Sequence, residues 1–297
     1  MNKKLLLFLI FFIALSFSTK AQNSNLSKGN KWDWDDDWQH WKSGNPFIEL
    51  NLGLGKLDHK KLFSKLSDVG SLEIKLGFAA QDEPYEEGIQ YFDEKYTFLS
   101  KMSSSFRHEK RKYTELPSEL LRFGFGKRNG YGYDLENIKI KPYVLSAFSW
   151  AKLEMKDYPV SIMQFIGAPQ AIDDAEILKR FDGNFRFGTL AEGGISLRLG
   201  IVSLNAGYET AVIFPRYVFW KHIGSYAIEL IGLNALDKFI DEVIDASPAA
   251  GPIVNFLLKN GYNFAFYTLK KDKMNWPFDS ESPLTYETFK FGVTFTF

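Results

Sequence analysis

The sequence of 297 residues contains no cysteine. This excludes disulfide bonds, thiol chemistry, cysteine-ligated zinc and acylation of an N-terminal cysteine. A basic excess is also missing, because 36 Lys and Arg residues are balanced by 36 Asp and Glu residues. Phosphate binding needs a clustered basic excess, so we expect no nucleic-acid partner.

Metal-binding and cofactor-binding patterns are scarce as well. The chain has four histidines, none at a metal-ligand spacing from another: His40, His59, His108 and His222. We therefore expect no metal site. The spaced glycines of residues 121–133 are not followed by the Lys-Ser/Thr pair of a phosphate-binding loop, and we expect no cofactor.

Beyond the N-terminus, no uninterrupted apolar run reaches 18 residues. The most apolar stretch, residues 211–235, is broken by Arg216, Lys221, His222 and Glu229. A helix crossing a membrane by itself is therefore not expected.

The N-terminus has the pattern of a secretory signal peptide. Lys3 and Lys4 precede an apolar run over residues 5–15, and Thr19 and Ala21 provide small residues before a cleavage site. The run is shorter than the roughly 20 residues of a bilayer-spanning helix. We predict a signal peptide over residues 1–21, cleaved after Ala21. Its removal takes away three lysines, which leaves 36 − 3 = 33 basic against 36 acidic residues.

Residues 22–44 form a polar extension that is rich in tryptophan and aspartate. Four Trp and four Asp lie within residues 32–41. One interpretation is a cation site or a glycan-binding surface built from this segment, with the carboxylates of Asp33, Asp35, Asp36 and Asp37. We favour the other, in which the indoles lie at a membrane interface, because the segment lacks the glycine and distal glutamate of a calcium loop.

The last ten residues alternate strictly between apolar and other side chains. One face carries Phe289, Phe291, Val293, Phe295 and Phe297, and the other carries Lys290, Gly292, Thr294 and Thr296. This period predicts a β-strand. An aromatic strand with an open edge would be prone to aggregation, whereas in a closed barrel the last strand pairs with the first.

The spacing of Lys290, Gly292, Phe295 and Phe297 resembles the C-terminal assembly signal of outer-membrane β-barrel proteins of Gram-negative bacteria. The resemblance covers the last ten residues directly. It implies an outer-membrane location, a barrel over residues 45–297, contact with outer-membrane lipid, and recognition by the barrel assembly machinery.

Alternating segments upstream agree with an all-β, antiparallel up-and-down barrel. The clearest are residues 47–55, 71–79, 193–201, 202–209 and 260–270. We predict a tight hairpin in residues 121–133 with its turn at Asn129-Gly130. Weaker strands are predicted at residues 89–99, 135–150, 160–167, 184–190 and 217–231, so the total is about 10–12.

Period two alone does not say which face points inward, and a soluble lipocalin-like barrel that binds an apolar ligand is an alternative. In a membrane barrel the charged face lines the lumen. The candidates for that lining are Glu49, Glu73, Lys75, Arg122, Arg198, Glu209 and Lys290. They can either neutralise one another in a filled interior or line a narrow aqueous path.

Residues 234–246 follow a helical period instead, with a polar face formed by Asp237, Asp241, Glu242 and Asp245. Asn234 is a natural N-cap. A second helix is expected at residues 171–181. If the last strand ends in the periplasm and residues 260–270 form the strand before it, residues 234–258 begin on the periplasmic side. There they would form a lid, or a plug that folds into the lumen. An ordered surface loop is the alternative.

These patterns suggest an outer-membrane protein that forms a narrow pore for small polar solutes. A closed barrel that binds a surface ligand or acts structurally is the alternative. A lipid-modifying enzyme is a third class, because His222, Ser225 and Glu229 provide a base, a nucleophile and an acid within eight positions. These residue types often occur together by chance, so we predict no catalytic residues.

Overall fold

The computed structural model describes residues 44–80, 83–86, 88–107, 115–155 and 167–297. The predicted signal peptide, nearly all of the Trp/Asp-rich extension and the predicted strand at 160–167, except its last residue, lie outside these ranges. Among the described residues, no helix combines the length and the apolarity needed to cross a membrane.

The described chain is mostly β-sheet with three helices. The strands are β1 (Asn45–Asp58), β2 (Lys65–Leu66), β3 (Val69–Ala79), β4 (Glu83–Glu86), β5 (Ile89–Ser103), β6 (Glu115–Leu116), β7 (Ser118–Leu135), β8 (Ile138–Met155), β9 (Phe185–Leu199), β10 (Val202–Ile213) and β11 (Leu284–Thr296). The helices are α1 (Ala168–Lys179), α2 (Phe219–Ala246) and α3 (Gly251–Asp272).

Eight long strands form a closed antiparallel barrel. Each pairs with the next long strand along the chain, in the order β1, β3, β5, β7, β8, β9, β10 and β11, and β11 pairs back with β1. Two ends follow from this up-and-down order. The terminal end is where β1 begins and β11 ends, and the loop end is the opposite one. The predicted architecture is confirmed, with eight wall strands instead of 10–12.

The tight hairpin predicted at Asn129-Gly130 is wrong. Both residues lie within the continuous strand β7, where Asn129 pairs with Val144 and Gly130 with Phe92. The chain reverses later, at residues 136–137, where Glu136 adopts a φ of 55°. A Cβ atom on Gly130 would lie 2.5 Å from the Pro142 carbonyl oxygen and 3.2 Å from the Phe92 ring, so this glycine makes room for the neighbouring backbone and for an inward aromatic side chain.

The strands predicted at residues 217–231 and 260–270 are also wrong, because α2 and α3 cover them. The buried residues of α3 recur at helical steps: Gly251, Pro252, Asn255, Asn263, Phe266, Tyr267 and Lys270. The helix predicted at 234–246 is the second half of α2. Asn234 therefore lies inside that helix, and the N-cap position is Val218. The helix expected at 171–181 corresponds to α1.

The two faces of the wall have opposite polarity. On β1, the inward Glu49 and Asn51 are buried, whereas the outward Leu50, Leu52 and Leu54 are exposed, Leu52 to 65%. A lipocalin-like barrel has the reverse arrangement, with apolar residues lining a ligand cavity. That alternative is therefore wrong.

Helices α2 and α3 form a hairpin on the outside of the wall. The rings of Tyr226 on α2 and Phe148 on β8 are 5.9 Å apart, and Phe148 points outward. The side chain of Asn260 on α3 packs on the outward side of Gly193. The expected plug in the lumen is thus wrong. The periplasmic location was predicted because residues 260–270 were counted as a strand. The chain instead leaves β10 and enters β11 at the loop end.

Candidate functional site

Besides Lys141, whose Nζ atom lies 4.9 Å from the centre of the Phe92 ring, the barrel interior contains a connected set of buried charges. It consists of four carboxylates and four cations: Glu49, Glu73, Glu192, Glu209, Lys75, Arg122, Arg128 and Lys290. We refer to these eight residues as the interior network. Each is exposed by 3% or less. A buried charge is tolerated only when it is paired and hydrogen-bonded, so the contacts inside this set decide whether the interior is closed.

Lys290 on β11 connects three carboxylates that come from three other strands. Its Nζ atom lies 2.9 Å from Glu73 Oε1, 2.6 Å from Glu192 Oε2 and 2.7 Å from Glu209 Oε2. The ammonium group donates hydrogen bonds to Glu73 and Glu209, and its contact with Glu192 is an ion pair.

Arg122 on β7 reaches two of the same carboxylates. Its Nη1 atom donates to Glu209 Oε1 over 2.7 Å, and its Nη2 atom lies 3.3 Å from Glu73 Oε2. Nη2 also donates to Ser100 Oγ over 2.8 Å, and Nη1 donates to the Tyr286 hydroxyl. The guanidinium carbon lies 4.6 Å from the centre of the Tyr286 ring, a cation–π geometry.

The second half of the network is centred on Glu49 of β1. Its carboxylate lies 2.7 Å from Arg128 Nη2 and 3.0 Å from Lys75 Nζ. It also accepts hydrogen bonds from Asn51, Asn205 and Thr294. Glu49 is thus surrounded by donors from β1, β3, β7, β10 and β11, and its contacts hold the barrel closed across the lumen.

Apolar side chains close the interior towards the loop end. This cluster includes Leu57, Met102, Leu120, Leu153, Ile213 and Leu284. Leu178 of α1 and the nearby Phe181 join it. The carboxylate of Asp174 on α1 accepts hydrogen bonds from the backbone N–H groups of Phe63 and Ser64, over 2.8 Å and 2.7 Å. Helix α1 is therefore fixed as a cap at this end.

His59 lies beside this cap in its neutral form. Its Nδ1 atom accepts from the Lys61 N–H over 3.3 Å, and its Nε2–H group donates to the Ser282 carbonyl over 3.2 Å. Burial lowers the pKa of His59 below its ordinary value, which agrees with these contacts.

Six of the seven residues predicted to face the lumen belong to the interior network. The seventh, Arg198, is only partly buried, and its Nε–H group donates to the Gly200 carbonyl at the terminal end. The sequence interpretation missed Arg128 and Glu192. Arg128 was assigned to a turn although it has the same parity as Arg122, and Glu192 lies just before the strand predicted at residues 193–201.

The four residues of the assembly-signal pattern divide between the two faces of β11. Lys290 and Gly292 point inward, whereas Phe295 and Phe297 are exposed. A Cβ atom on Gly292 would overlap Asn51 Oδ1. The lysine and the glycine therefore also serve the packing of the interior; recognition by the assembly machinery stays a prediction.

The four acidic residues of the predicted lid or plug helix lie on α2, outside the wall. Asp237 Oδ1 is 2.5 Å from Lys259 Nζ on α3, and Asp245 accepts a hydrogen bond from the Tyr85 hydroxyl over 2.9 Å. Asp241 is partly buried and Glu242 is exposed. Asp237 thus faces the partner helix and Asp245 contacts β4, and all four acids lie outside the lumen.

His222, Ser225 and Glu229 each contact other groups. The His222 ring lies 4.2 Å from the Phe214 ring, centre to centre. Ser225 Oγ donates to the Trp276 carbonyl over 2.7 Å, and Glu229 pairs with Lys270. These contacts hold α2 against its neighbours. Among the described residues, no group of His, Asp or Glu is arranged to hold a metal ion; the four aspartates of residues 33–37 lie outside them.

An eight-stranded antiparallel barrel with an ion-paired interior and an apolar outer wall is a β-barrel of the outer-membrane type. No protein-family model matches the chain, and no curated protein does. Among solved structures, Neisserial surface protein A is similar at 9% identity and a TM-score of 0.37, covering 85% of this chain and 97% of that one. Ail, the attachment invasion locus protein of Yersinia pestis, is similar at 7% identity and a TM-score of 0.31, covering 86% and 99%. At such identities the likeness concerns the fold alone.

Proposed function

We propose that the chain is a closed, non-conducting outer-membrane barrel that acts through the surface at its loop end. The observation that supports this is the filled interior. Lys75, Arg122 and Lys290 are each exposed by 2% or less and are paired with carboxylates from other strands or from their own. An ion path would need hydrated charges, and in this interior the carboxylates take the place of water around the cations.

The lengths of the connections support an orientation. At the terminal end, β7–β8 and β9–β10 are joined through residues 136–137 and 200–201, and β3–β5 through residues 80–88, which include β4. At the loop end, the connections cover residues 59–68, 104–117, 156–184 and 214–283. Outer-membrane barrels have short periplasmic turns and longer extracellular loops, so the loop end faces the outside in this proposal.

Conductance across a planar lipid bilayer tests the proposal. Folding is first verified by the mobility shift on electrophoresis between unheated and heated samples. We expect no discrete conductance steps from the folded protein, in contrast to a porin inserted under the same conditions. Steps from the folded chain would contradict the proposal and favour the narrow pore instead.

A second candidate, binding of an anionic surface ligand, is favoured by one feature of the loop end. An open cavity of about 410 Å³ is lined by three cationic side chains, Lys61, Arg216 and Lys221, together with Asp279 and Glu281. Clustered cations attract anions, although here two acids share the cavity. The test is binding of lipopolysaccharide to the folded protein, and to a variant with Lys61→Ala and Lys221→Ala. Equal affinity of lipopolysaccharide for the two proteins would show that this cavity is not the binding site.

A further inference from the structure

The hairpin of α2 and α3 follows the outer wall over its whole height. Near the loop end, Lys271 Nζ donates to Glu287 Oε1 over 2.8 Å. Halfway along α3, the Asn260 side chain donates to the Tyr143 carbonyl over 3.2 Å. At the terminal end, the Tyr133 hydroxyl donates to the Ala249 carbonyl over 2.7 Å. Whatever surrounds the wall between these levels therefore also surrounds the hairpin.

The polarity of this hairpin is inverted relative to a helix on the surface of a soluble protein. Asn255 and Asn263 are buried, and Lys270 is buried beside Glu229. The second lysine of α3 on this side, Lys259, pairs with Asp237 and is also largely covered. These four polar residues of α3 thus face α2 and the wall.

The exposed side of α3 is apolar. In the described span 253–269, none of the exposed side chains is charged: Ile253, Leu257, Gly261, Phe264, Ala265, Thr268 and Leu269. Leu257 is exposed to 60%. A helix in contact with water normally places charged residues on this side. We call these seven residues the outer stripe.

The length of the outer stripe fits the apolar layer of an outer membrane. From residue 253 to residue 269 the helix makes 269 − 253 = 16 steps, which is about 24 Å at a helical rise of about 1.5 Å per residue. The outward apolar band of membrane barrels is about 25 Å tall. On α2, exposed Trp220, Ile223 and Ile231 extend the apolar surface. Its exposed charges begin at Lys238, next to Asp237, which pairs with Lys259, so they lie beside the part of the outer stripe nearest the terminal end.

We propose that the hairpin lies within the bilayer, with the outer stripe in contact with lipid acyl chains. The inference rests on the proposed outer-membrane location and goes beyond it, since such a barrel needs only its strands in the membrane. The apolar surface is continuous with the bare wall, where outward Ile195 and Leu204 are also exposed. The helices fall short of crossing a membrane by themselves because of their polar residues. The wall and the facing helix provide partners for Lys259, Asn260 and Lys270, as burial in a membrane requires.

Site-directed spin labelling tests the inference directly, because the absence of cysteine leaves a clean background. Single cysteines are introduced as Leu257→Cys and Phe264→Cys on the outer stripe, Leu52→Cys on the bare wall and Asn137→Cys in a turn. All four positions are exposed, so the labels replace no buried contact. Each labelled protein is reconstituted in phosphatidylcholine vesicles, and its folding is verified by electrophoretic mobility.

The measurement is the collision rate of each label with oxygen, which concentrates in lipid, and with a water-soluble nickel chelate. We expect the oxygen-to-nickel ratio at positions 257 and 264 to match that at 52 and to exceed that at 137 several-fold. Water-like ratios at 257 and 264 with a lipid-like ratio at 52 would overturn the inference and leave the barrel in the membrane.

Two further outcomes also overturn it. A water-like ratio at position 52 would mean that the proposed membrane location itself is wrong. Labels at 257 and 264 that are shielded from both reagents would show a protein covering the stripe. In that case, line broadening that disappears on dilution with unlabelled protein would identify a second copy of the chain.

Discussion

Charged residues are buried in two regions of this molecule, the interior network and the interface between the hairpin and the wall. In the interior, Lys290 contacts three carboxylates and Arg122 contacts two. In the hairpin region, Lys259 and Lys270 each have a salt bridge to one acid, Asp237 and Glu229 respectively. The number of partners per charge is therefore the main difference.

This difference has consequences for stability. When one group of a highly connected buried network is removed, several opposite charges lose a partner at once, and the loss falls on strands all around the barrel. A single pair affects only its two elements. We expect interior variants to change unfolding of the whole barrel, and interface variants to change only the docking of the hairpin.

The largest effect is expected from Lys290→Met, which leaves three buried carboxylates without their shared ammonium group. Breaking a buried ion pair costs about 3–5 kcal/mol. The free energy of unfolding, from urea titration of the protein refolded in detergent micelles, should fall by about this amount. The matched control is Lys101→Met, since Lys101 is half exposed and pairs with Glu119 over 3.2 Å. That change should cost no more than about 1 kcal/mol. Similar losses for both variants would contradict the special role of the network.

A smaller global effect is expected from Gly292→Ala. The added methyl group overlaps Asn51 Oδ1, and overpacking costs about 1–3 kcal/mol. In the double variant with Asn51→Ala, the methyl group gains space, so the two losses should be less than additive. The same urea titration measures this coupling. Full additivity would show that the glycine is needed for another reason, such as assembly.

At the interface, Gly193→Val should release the hairpin while the barrel stays folded. A Cβ atom at this position lies 2.5 Å from Asn260 Oδ1, on the outward side of β9. Amide hydrogen exchange of residues 251–272 should become faster, by a local free energy of about 1–3 kcal/mol, with exchange of β1 and β11 unchanged. Ile195→Val on the same strand, at an exposed outward position, is the control. Equal acceleration in both variants would refute the assignment of this contact.

The smallest change is expected from Tyr133→Phe, which removes the hydrogen bond to the Ala249 carbonyl. One hydrogen bond contributes about 0.5–1.5 kcal/mol. Exchange at the N-terminal end of α3 should accelerate slightly, with no change near Asp272. A shift in the global unfolding midpoint would instead indicate that the hairpin and the barrel unfold together.

The strand pattern and the inward parity could be predicted from the sequence because both are local properties. Period two in residues 47–55 and 71–79 places Glu49, Glu73 and Lys75 on one face, and the structure has them there. The C-terminal strand was equally clear. Their partners across the lumen were not predictable, because Arg122 meets Glu209 only after the sheet has closed.

The errors arose where one local pattern allows two structures. Asn129-Gly130 is a turn signal, but in β7 the glycine leaves space for Phe92, a residue that is distant in sequence. In residues 260–270, aromatic residues at alternating positions suggested a strand. The buried Asn263, Tyr267 and Lys270 show the helical step that decided the outcome. A short apolar segment does not distinguish these two periods by itself.

The crossing pattern of the interior charges has a consequence for the order of assembly. Arg122 on β7 finds its carboxylates on β3 and β10, and neither strand is a neighbour of β7 in the sheet. A flat sheet therefore gains nothing from these two pairs, whereas Lys75 and Glu49 already face each other on the adjacent strands β3 and β1. Arg122 comes within reach of both carboxylates only when the sheet curls into the closed barrel. Closure thus adds ion pairs across the lumen to those between neighbouring strands, and it expels the water that hydrated Arg122 and its partners.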